Sequence, residues 1–275
     1  MSRIAVIIVT HNSALVLKCC LQALFHQSVR AQDILLVDTA SVNPAYLEKI
    51  AAGNQKISVV ALDKNVGFAR ANNVGYSRCD PETEYVLFLN PDAFPAANAL
   101  ERAVEFLQHN PGVACVGGRQ LGWDPTQNRA TGTLDSTGLF RKWYGRWYDR
   151  GHGQPDVGQY AEQEKVPAVC GAFMFCRREA LEQVRLSDGS VFDPGFFLYK
   201  EDIELCLRLR KAHWQLVYLP DIVVYHCRGW QGRKAMPRAL RLTAARSEMY
   251  LYKKHPSPYF LWAFFKYLLV LVLRV

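Results

Sequence analysis

Apolar positions in the first 110 residues fall into short unbroken runs, and between the runs they recur every three or four positions. The runs at 3–9, 33–38, 57–61 and 85–89 are continuous and rich in Val, Ile and Leu, as strands buried on both faces of a parallel sheet are. Helical spacing fills the intervals at 14–26, 46–52, 69–77 and 98–109. The alternation predicts an α/β fold with a mostly parallel central sheet and helices on both faces. Ligands of such sheets sit beyond the carboxyl ends of the strands. The residues closing the four runs are Thr10-His11-Asn12, Asp38-Thr39-Ala40-Ser41, Asp63-Lys64-Asn65 and Asn90-Pro91-Asp92, so small polar and acidic groups gather at one edge.

After a fifth strand at 113–116 the pattern loosens. Residues 123–165, rich in Gly, Pro, Asp and Thr, predict a long, partly irregular insertion over the site. Within it, Phe140-Arg141-Lys142-Trp143-Tyr144-Gly145-Arg146-Trp147-Tyr148-Asp149-Arg150 interleaves aromatics with cations. That suits a lid or an acceptor wall, or simply a packed loop. A strand-like run follows at 166–177 and a helix at 178–184. Past the turn Asp193-Pro194-Gly195 a helix runs from about 200 to 213, and strands at 214–219 and 222–225 lead to His226.

Composition changes this picture in a few places. A chain of 275 residues, half of them hydrophobic, can bury a full core. A net charge of +8 suggests anionic partners, whether nucleotide diphosphate, nucleic acid or acidic lipid. The eight cysteines include no CxxC pair and mostly lie in apolar runs, which fits buried thiols in a reducing cytosol. The apolar run at the N-terminus is too short for a secretory signal. From Arg228 to Lys254 there are eight Lys or Arg and one acid, Glu248, and residues 259–273 are then apolar except for Lys266. That tail is shorter than the roughly 20 residues of a membrane span, so it predicts shallow docking at the cytoplasmic face of a membrane; a helix packed on the domain or at a subunit interface is the alternative.

The candidate chemistry lies at the sheet edge and in one acidic cluster. Asp92, closing a buried strand, suits a hard metal ligand, although an Asx residue there also caps a turn. His226 suits the same metal, Mn²⁺ in particular, or a surface position after a strand. Glu201-Asp202-Ile203-Glu204 begins a helix, where acids complement the dipole. The aromatics Phe196-Phe197-Leu198-Tyr199 lead into that turn, and such a setting raises a carboxyl pKa. Asp202 is therefore the candidate base, with Glu201 and Glu204 in support. Asp38 can accept from a pyrimidine imide, Gly67 and Gly75 allow close backbone approach, and Arg70 offers charge to a diphosphate or sits on an exposed helix face. Thr10, Asn12, Asn65, Asn73 and Asn90 complete the candidate donor site. No GxGxxG follows the first strand, so a dinucleotide cofactor is not expected.

Six motifs in order carry a resemblance over about residues 3 to 230. They are Val9-Thr10-His11-Asn12, Val37-Asp38-Thr39-Ala40-Ser41, the segment from Asn65-Val66-Gly67 to Asn73-Val74-Gly75, Leu89-Asn90-Pro91-Asp92, Gly171-Ala172-Phe173-Met174, and Phe196-Phe197-Leu198-Tyr199-Lys200-Glu201-Asp202-Ile203-Glu204 with Leu205 to Arg208. The chain resembles glycosyltransferase family 2, in its rhamnosyltransferase-like subgroup. The resemblance implies a GT-A fold and an inverting, metal-dependent transfer of a sugar from a nucleotide donor. It implies that Asp38 contacts the base, that Asp92 and His226 hold Mg²⁺ or Mn²⁺, and that Asp202 is the catalytic base.

Departures from the family pattern are Asn43-Pro44 where a further acid is frequent, Asn90 in place of the first acid of a DxD, and Glu204 in place of the commoner Asp. No QxxRW occurs near Trp230-Gln231, which argues against a processive synthase.

The resulting expectation is transfer of rhamnose from dTDP-rhamnose, or of another sugar from a UDP-sugar, to a hydroxyl of a cell-envelope glycan or lipid-linked acceptor. It is placed in the cytoplasm, at the inner membrane, without nucleic acid as partner. The expected organisation is a GT-A domain at 1–230, with a nucleotide-binding half at 1–118 and an acceptor half at 119–230, followed by a basic and hydrophobic helical extension at 231–275. The competing readings are a sugar nucleotidyltransferase, which would carry a Gly-rich loop after its first strand, and a membrane-associated nucleotide-sugar binder without turnover.

Overall fold

A computed structural model describes residues 2–227 and 236–272. The parallel part of the sheet is built from β1 (Ile4–Thr10), β2 (Asp33–Thr39), β3 (Ile57–Leu62) and β4 (Tyr85–Leu89), connected through α1 (Ala14–Phe25), α2 (Ala45–Ala52) and α3 (Phe68–Tyr76). A short β5 (Ala93–Pro95) and α4 (Ala99–His109) lead to β6 (Val113–Asp124) and β7 (Arg129–Ser136). Then come β8 (Leu139–Arg141), β9 (Trp147–Asp149), β10 (Glu164–Lys165), β11 (Phe173–Arg177), α5 (Arg178–Gln183), α6 (Glu201–Lys211) and β12 (Gln215–His226). The helices α7 (Arg238–Lys254) and α8 (Phe260–Val272) follow.

The main sheet runs β10-β12-β6-β11-β4-β1-β2-β3, with β5 paired to β12 and β7 to β6. The β1, β2, β3 and β4 ladders are parallel, as is β6 with β12, while β11 lies antiparallel between β4 and β6. Every residue of β1 and β4 is buried, which explains their unbroken apolar sequences. Two buried clusters lie on the two faces of the sheet. One holds Ile4, Val6 and Ile8 against α1 and α4; the other holds Ala5, Ile7 and Val9 with Phe88, Phe192 and α6.

The second half departs from the sequence reading. Residues 123–165 contain β7, β8, β9 and β10 rather than mostly irregular chain. These strands are short and rich in Thr, Gly and Asp, and β7 is exposed over its first half, so no apolar alternation marks them. The strand expected over 166–177 is confined to Phe173–Arg177. The two strands expected at 214–219 and 222–225 form one, β12, whose ladder with β6 shifts between Leu219 and Val223. Pro220 lies in that interval and cannot donate to a ladder.

The C-terminal helices pack on the domain. Leu251 and Tyr252 of α7 and Ala263 of α8 belong to the same buried cluster as Ile7 and Phe88. No helix among the described residues is long and apolar enough to cross a membrane. The Trp230-Gln231 region lies outside the described residues.

Candidate functional site

The ends of β1 and β2 form one polar lattice around Asp38. This buried carboxylate accepts from the Thr10 hydroxyl at 2.9 Å, the Ser41 hydroxyl at 2.5 Å and the Ser41 N–H at 2.9 Å. Asn12 closes the lattice: its N–H donates to Ser41 Oγ at 2.7 Å, and its side-chain oxygen accepts from the Val42 N–H at 2.9 Å. Asn12 and Ala40 both have φ in the left-handed region, at 54° and 56°, where non-glycine residues are uncommon. Such backbone is kept only where its surroundings hold it, as the lattice does here.

Asn65, Gly67, Arg70 and Asn73 join the start of α3 to the loop that precedes α6. Asn65 Oδ1 accepts from the Gly67 N–H at 3.0 Å, and the next N–H, of Phe68, donates to the Phe197 carbonyl at 2.7 Å. Gly67 has φ of +83°, and a Cβ there would overlap the Phe197 carbonyl oxygen. Only glycine lets the two segments approach so closely. Arg70 Nε donates to the Pro194 carbonyl at 3.0 Å. The Asn73 amide is committed to backbone, donating to the Phe192 carbonyl at 2.7 Å and accepting from the Val191 and Phe192 N–H groups.

At the end of β4, the Asn90 N–H donates to the Ala172 carbonyl at 3.0 Å, and the adjoining Gly171 N–H donates to Asp202 Oδ2 at 3.0 Å. One chain of contacts therefore links Asn90 to the acidic turn of α6. A Cβ at Gly171 would lie 3.2 Å from that same Asp202 oxygen, closer than packing readily admits. Asp202 Oδ1 accepts from the Ile203 N–H at 2.8 Å. The turn into α6 is unusual, since Tyr199 and Lys200 are both left-handed, with φ of 70° and 73°. Two consecutive non-glycine residues in this region aim the acids of the first turn at a cost in backbone strain.

The three acids of that turn have different environments. Glu201 is buried and, among the described residues, its Oε2 has no hydrogen-bond partner. Burial, then the charge of Asp202, push its carboxyl up to about 8. Burial also raises Asp202, against the opposing pull of Lys200 and of the Gly171 and Ile203 N–H groups. Glu204 goes the other way. It is fully buried yet pairs with Arg208 at 2.8 Å, Lys254 at 3.0 Å and His255 at 3.3 Å. Burial would raise its carboxyl, but these partners prevail and hold it at about 2.

Across β5 and β12, His226 lies opposite Ala93 and its Nε2 stands 3.3 Å from Asp92 Oδ1 and 3.4 Å from Asn90 Nδ2. Its Nδ1 bonds to Asp135 Oδ2 at 2.8 Å. Burial alone would depress the imidazole, but Asp92 and Asp135 together lift it to about 9. Asp135 also stands 3.3 Å from His152 Nδ1. Sequence reasoning missed Asp135, because β7 was not recognised and its partner is 91 residues away.

A carboxylate behind the far nitrogen of an imidazole is the common arrangement at metal-binding histidines, where it fixes the ring and its tautomer. Among the described residues no group of three or more His, Cys, Asp or Glu forms a metal cage. Asp92 and His226, with Asp135 behind, are the residues here that could hold an ion. A sparse protein set of this kind suits a hard divalent ion that takes its remaining ligands from phosphate and water.

The family model for glycosyl transferase family 2 matches residues 5–185. The pre-mycofactocin glycosyltransferase of Mycobacterium tuberculosis is 27% identical over 219 residues, covering 76% of this chain and 41% of that protein. The rhamnosyltransferase WbbL of Escherichia coli is 34% identical over 89 residues, 32% of each chain. Among solved structures, GalNAc-T7 with UDP, GalNAc and Mn²⁺ superposes with a TM-score of 0.68 at 18% identity, covering 94% of this chain and 52% of that one. The chain thus spans about two fifths of the mycobacterial relative and about half of the GalNAc-T7 chain. The architecture is the GT-A fold.

Proposed function

The chain belongs to glycosyl transferase family 2, and from that premise we propose that it transfers a sugar from a nucleotide diphosphate donor to an acceptor hydroxyl, with inversion at the anomeric carbon. The observation that carries this reading is the Asn90–Ala172–Gly171–Asp202 chain of contacts, which sets a burial-shifted carboxylate beside the β4 end that bears Asp92.

In this mechanism Asp202 takes the proton of the acceptor hydroxyl. The acceptor oxygen forms its bond to the anomeric carbon as the bond from that carbon to the diphosphate oxygen breaks, and the electron pair leaves with the diphosphate. Two N–H donors hold the Asp202 carboxylate in one orientation. Its raised pKa makes it a stronger base than an ordinary aspartate. Glu201, pushed up to about 8, keeps its proton near neutrality and leaves Asp202 the single negative charge of the pair. Asp38 and the lattice of Thr10 and Asn12 would seat the base, while Asn65, Gly67 and the guanidinium of Arg70 would line the diphosphate side. Asn73 serves by holding the 191–192 backbone.

Asp92 and His226 would hold Mg²⁺ or Mn²⁺, with Asp135 fixing the imidazole; Mn²⁺ accompanies UDP in the GalNAc-T7 structure. Such an ion would neutralise the charge gathering on the diphosphate. His226 must release its Nε2 proton to bind it. Rhamnose is the proposed sugar, on the likeness to WbbL, and a lipid-linked or cell-envelope glycan at the cytoplasmic face of the inner membrane is the proposed acceptor. The functional divisions proposed are 1–118, 119–230 and 231–275.

The test is thermal stabilisation by dTDP, UDP, GDP and CMP, each with Mn²⁺ and then with EDTA. A ligand at 100 times its dissociation constant adds about 2.7 kcal/mol. A metal-dependent shift selective for dTDP supports rhamnose, and selectivity for UDP changes the sugar while keeping the site. No shift with any nucleotide removes the donor site and the proposal with it.

A further inference from the structure

We propose that the outer face of α8, together with the tip of the aromatic insertion, is a docking surface for an anionic lipid bilayer. The transfer reaction says nothing of such a surface, and only its consequence for the acceptor rests on the reading above.

The apolar residues of α8 divide between two faces. Ala263 is buried against the domain, whereas Leu261, Phe265 and Val272 are 64%, 61% and 69% exposed, with Leu269 between them also exposed. Positions 261, 265, 269 and 272 follow helical spacing, so they form one stripe. The stripe continues onto the insertion: Trp262 of α8 meets Tyr144 edge to face at 4.9 Å, and Tyr144 meets Trp143, which is 86% exposed. An exposed Trp beside a row of exposed Leu, Phe and Val is the composition of a lipid-facing interfacial helix.

The charge around the stripe favours lipid over a second copy of the chain. Cations are fixed at both ends of α8 and at its middle: Arg141 stacks on Tyr259 at 4.6 Å, Arg238 donates to the Leu271 carbonyl at 2.9 Å, and Arg246 lies over Tyr267 at 6.0 Å. Between residues 236 and 272 the one acid is Glu248, which is buried and paired with Lys266. Two copies meeting through this face would bring like charges together, while an anionic headgroup layer complements them. Ala263 packs α8 lengthwise against the domain, so the helix presents its exposed side to the headgroup layer. The surface is tied to the candidate site. Glu248 and Lys266 join α8 to α7, and Ser247 of α7 donates to the Leu198 carbonyl, four residues before Asp202, at 2.8 Å.

The experiment is co-sedimentation of the full chain with vesicles of phosphatidylglycerol and phosphatidylcholine, or of phosphatidylcholine alone, in low and high salt. Binding is expected with the anionic vesicles and is expected to weaken with salt. Phe265→Glu combined with Leu269→Glu should lower the partition coefficient at least about tenfold, and Trp143→Ala less, because buried apolar area drives interfacial binding. Circular dichroism and nucleotide-induced stabilisation of the same variants separate lost docking from lost folding or a lost donor site. Equal sedimentation by wild type and the double variant overturns the proposal. So does a wild-type dimer in analytical ultracentrifugation that ignores vesicles and is dispersed by the double variant.

Discussion

The β1–β2 edge and the first turn of α6 both bury carboxylates, and they treat them in opposite ways. At the β1–β2 edge Asp38 is surrounded by hydrogen-bond donors, with two hydroxyls and an N–H upon it. In α6, among the described residues, the Glu201 Oε2 is buried without a donor and Asp202 accepts from two backbone N–H groups. A carboxylate supplied with donors is held in one orientation, as the recognition role proposed for Asp38 requires. A carboxylate deprived of them has a raised pKa and is suited to exchanging protons. Glu204 shows that the contrast is not simply one of position along the chain. One turn along the same helix, two cations and an imidazole return a carboxylate to the charged, structural kind.

The contrast breaks most sharply at Asp202. Asp202→Asn should reduce transfer by about 10²- to 10⁴-fold, the usual contribution of a general base, while nucleotide-induced stabilisation is retained. Normal turnover in that variant would remove the base assignment and leave α6 as a structural helix. Next in size is Glu204→Ala, which strands Arg208 and Lys254 beside a buried cavity. Removing one partner of a buried ion cluster costs about 3–5 kcal/mol, readable by urea denaturation. A loss below about 1 kcal/mol, the worth of an exposed ion pair, would show that these charges are solvated.

Thr10→Val deletes one of the three donors to Asp38. A hydrogen bond to a charged group contributes about 1.5–3 kcal/mol, and that loss is expected in denaturation midpoints together with weaker nucleotide stabilisation. If stability falls and nucleotide binding does not, the lattice is a folding device rather than part of the donor site.

The most diagnostic effect is on pH dependence. Glu201 is held up to about 8 in the fold, so between about 4.5 and 8 the unfolded chain releases a proton that the native chain keeps. Its contribution is fully present below the ordinary glutamate pKa and is lost as pH rises through the folded value. Glu204, held at about 2, acts in the opposite sense: its contribution is present above about 4.5 and is lost as pH falls towards 2. Glu201→Gln should flatten the neutral limb of a stability profile and leave the acid limb unchanged. A profile identical to wild type would mean that Glu201 is solvated.

Some of this was legible in the sequence and some was not, for physical reasons. The strands β1 to β4 announce themselves because burial on both faces demands uninterrupted apolar residues, and the groups closing them had to lie on one edge. The buried setting of Asp202 was legible from the aromatics leading into it. Asp135 was not, because β7 is short, half exposed and Thr-rich, and because a buried carboxylate at a distance in sequence carries no local mark. The role of Asn73 was also hidden. Its place in a motif pointed towards a ligand, whereas its amide serves the backbone of Val191 and Phe192. Nor does basic composition reveal that Lys254 would reach back to Asp193 and Glu204.

That last contact bears on how this chain can be divided and recombined. Lys254 and His255 touch Glu204, Ser247 holds the Leu198 carbonyl, and the Tyr250 ring packs on Phe196 at 4.8 Å. The residues after β12 are therefore part of the scaffold of the turn that carries Asp202 and not an interchangeable tail. A chimaera that exchanges α7 and α8 for those of a relative must exchange residues 193–204 with them, and trimming the chain after β12 to obtain a minimal transferase would release the turn that carries Asp202.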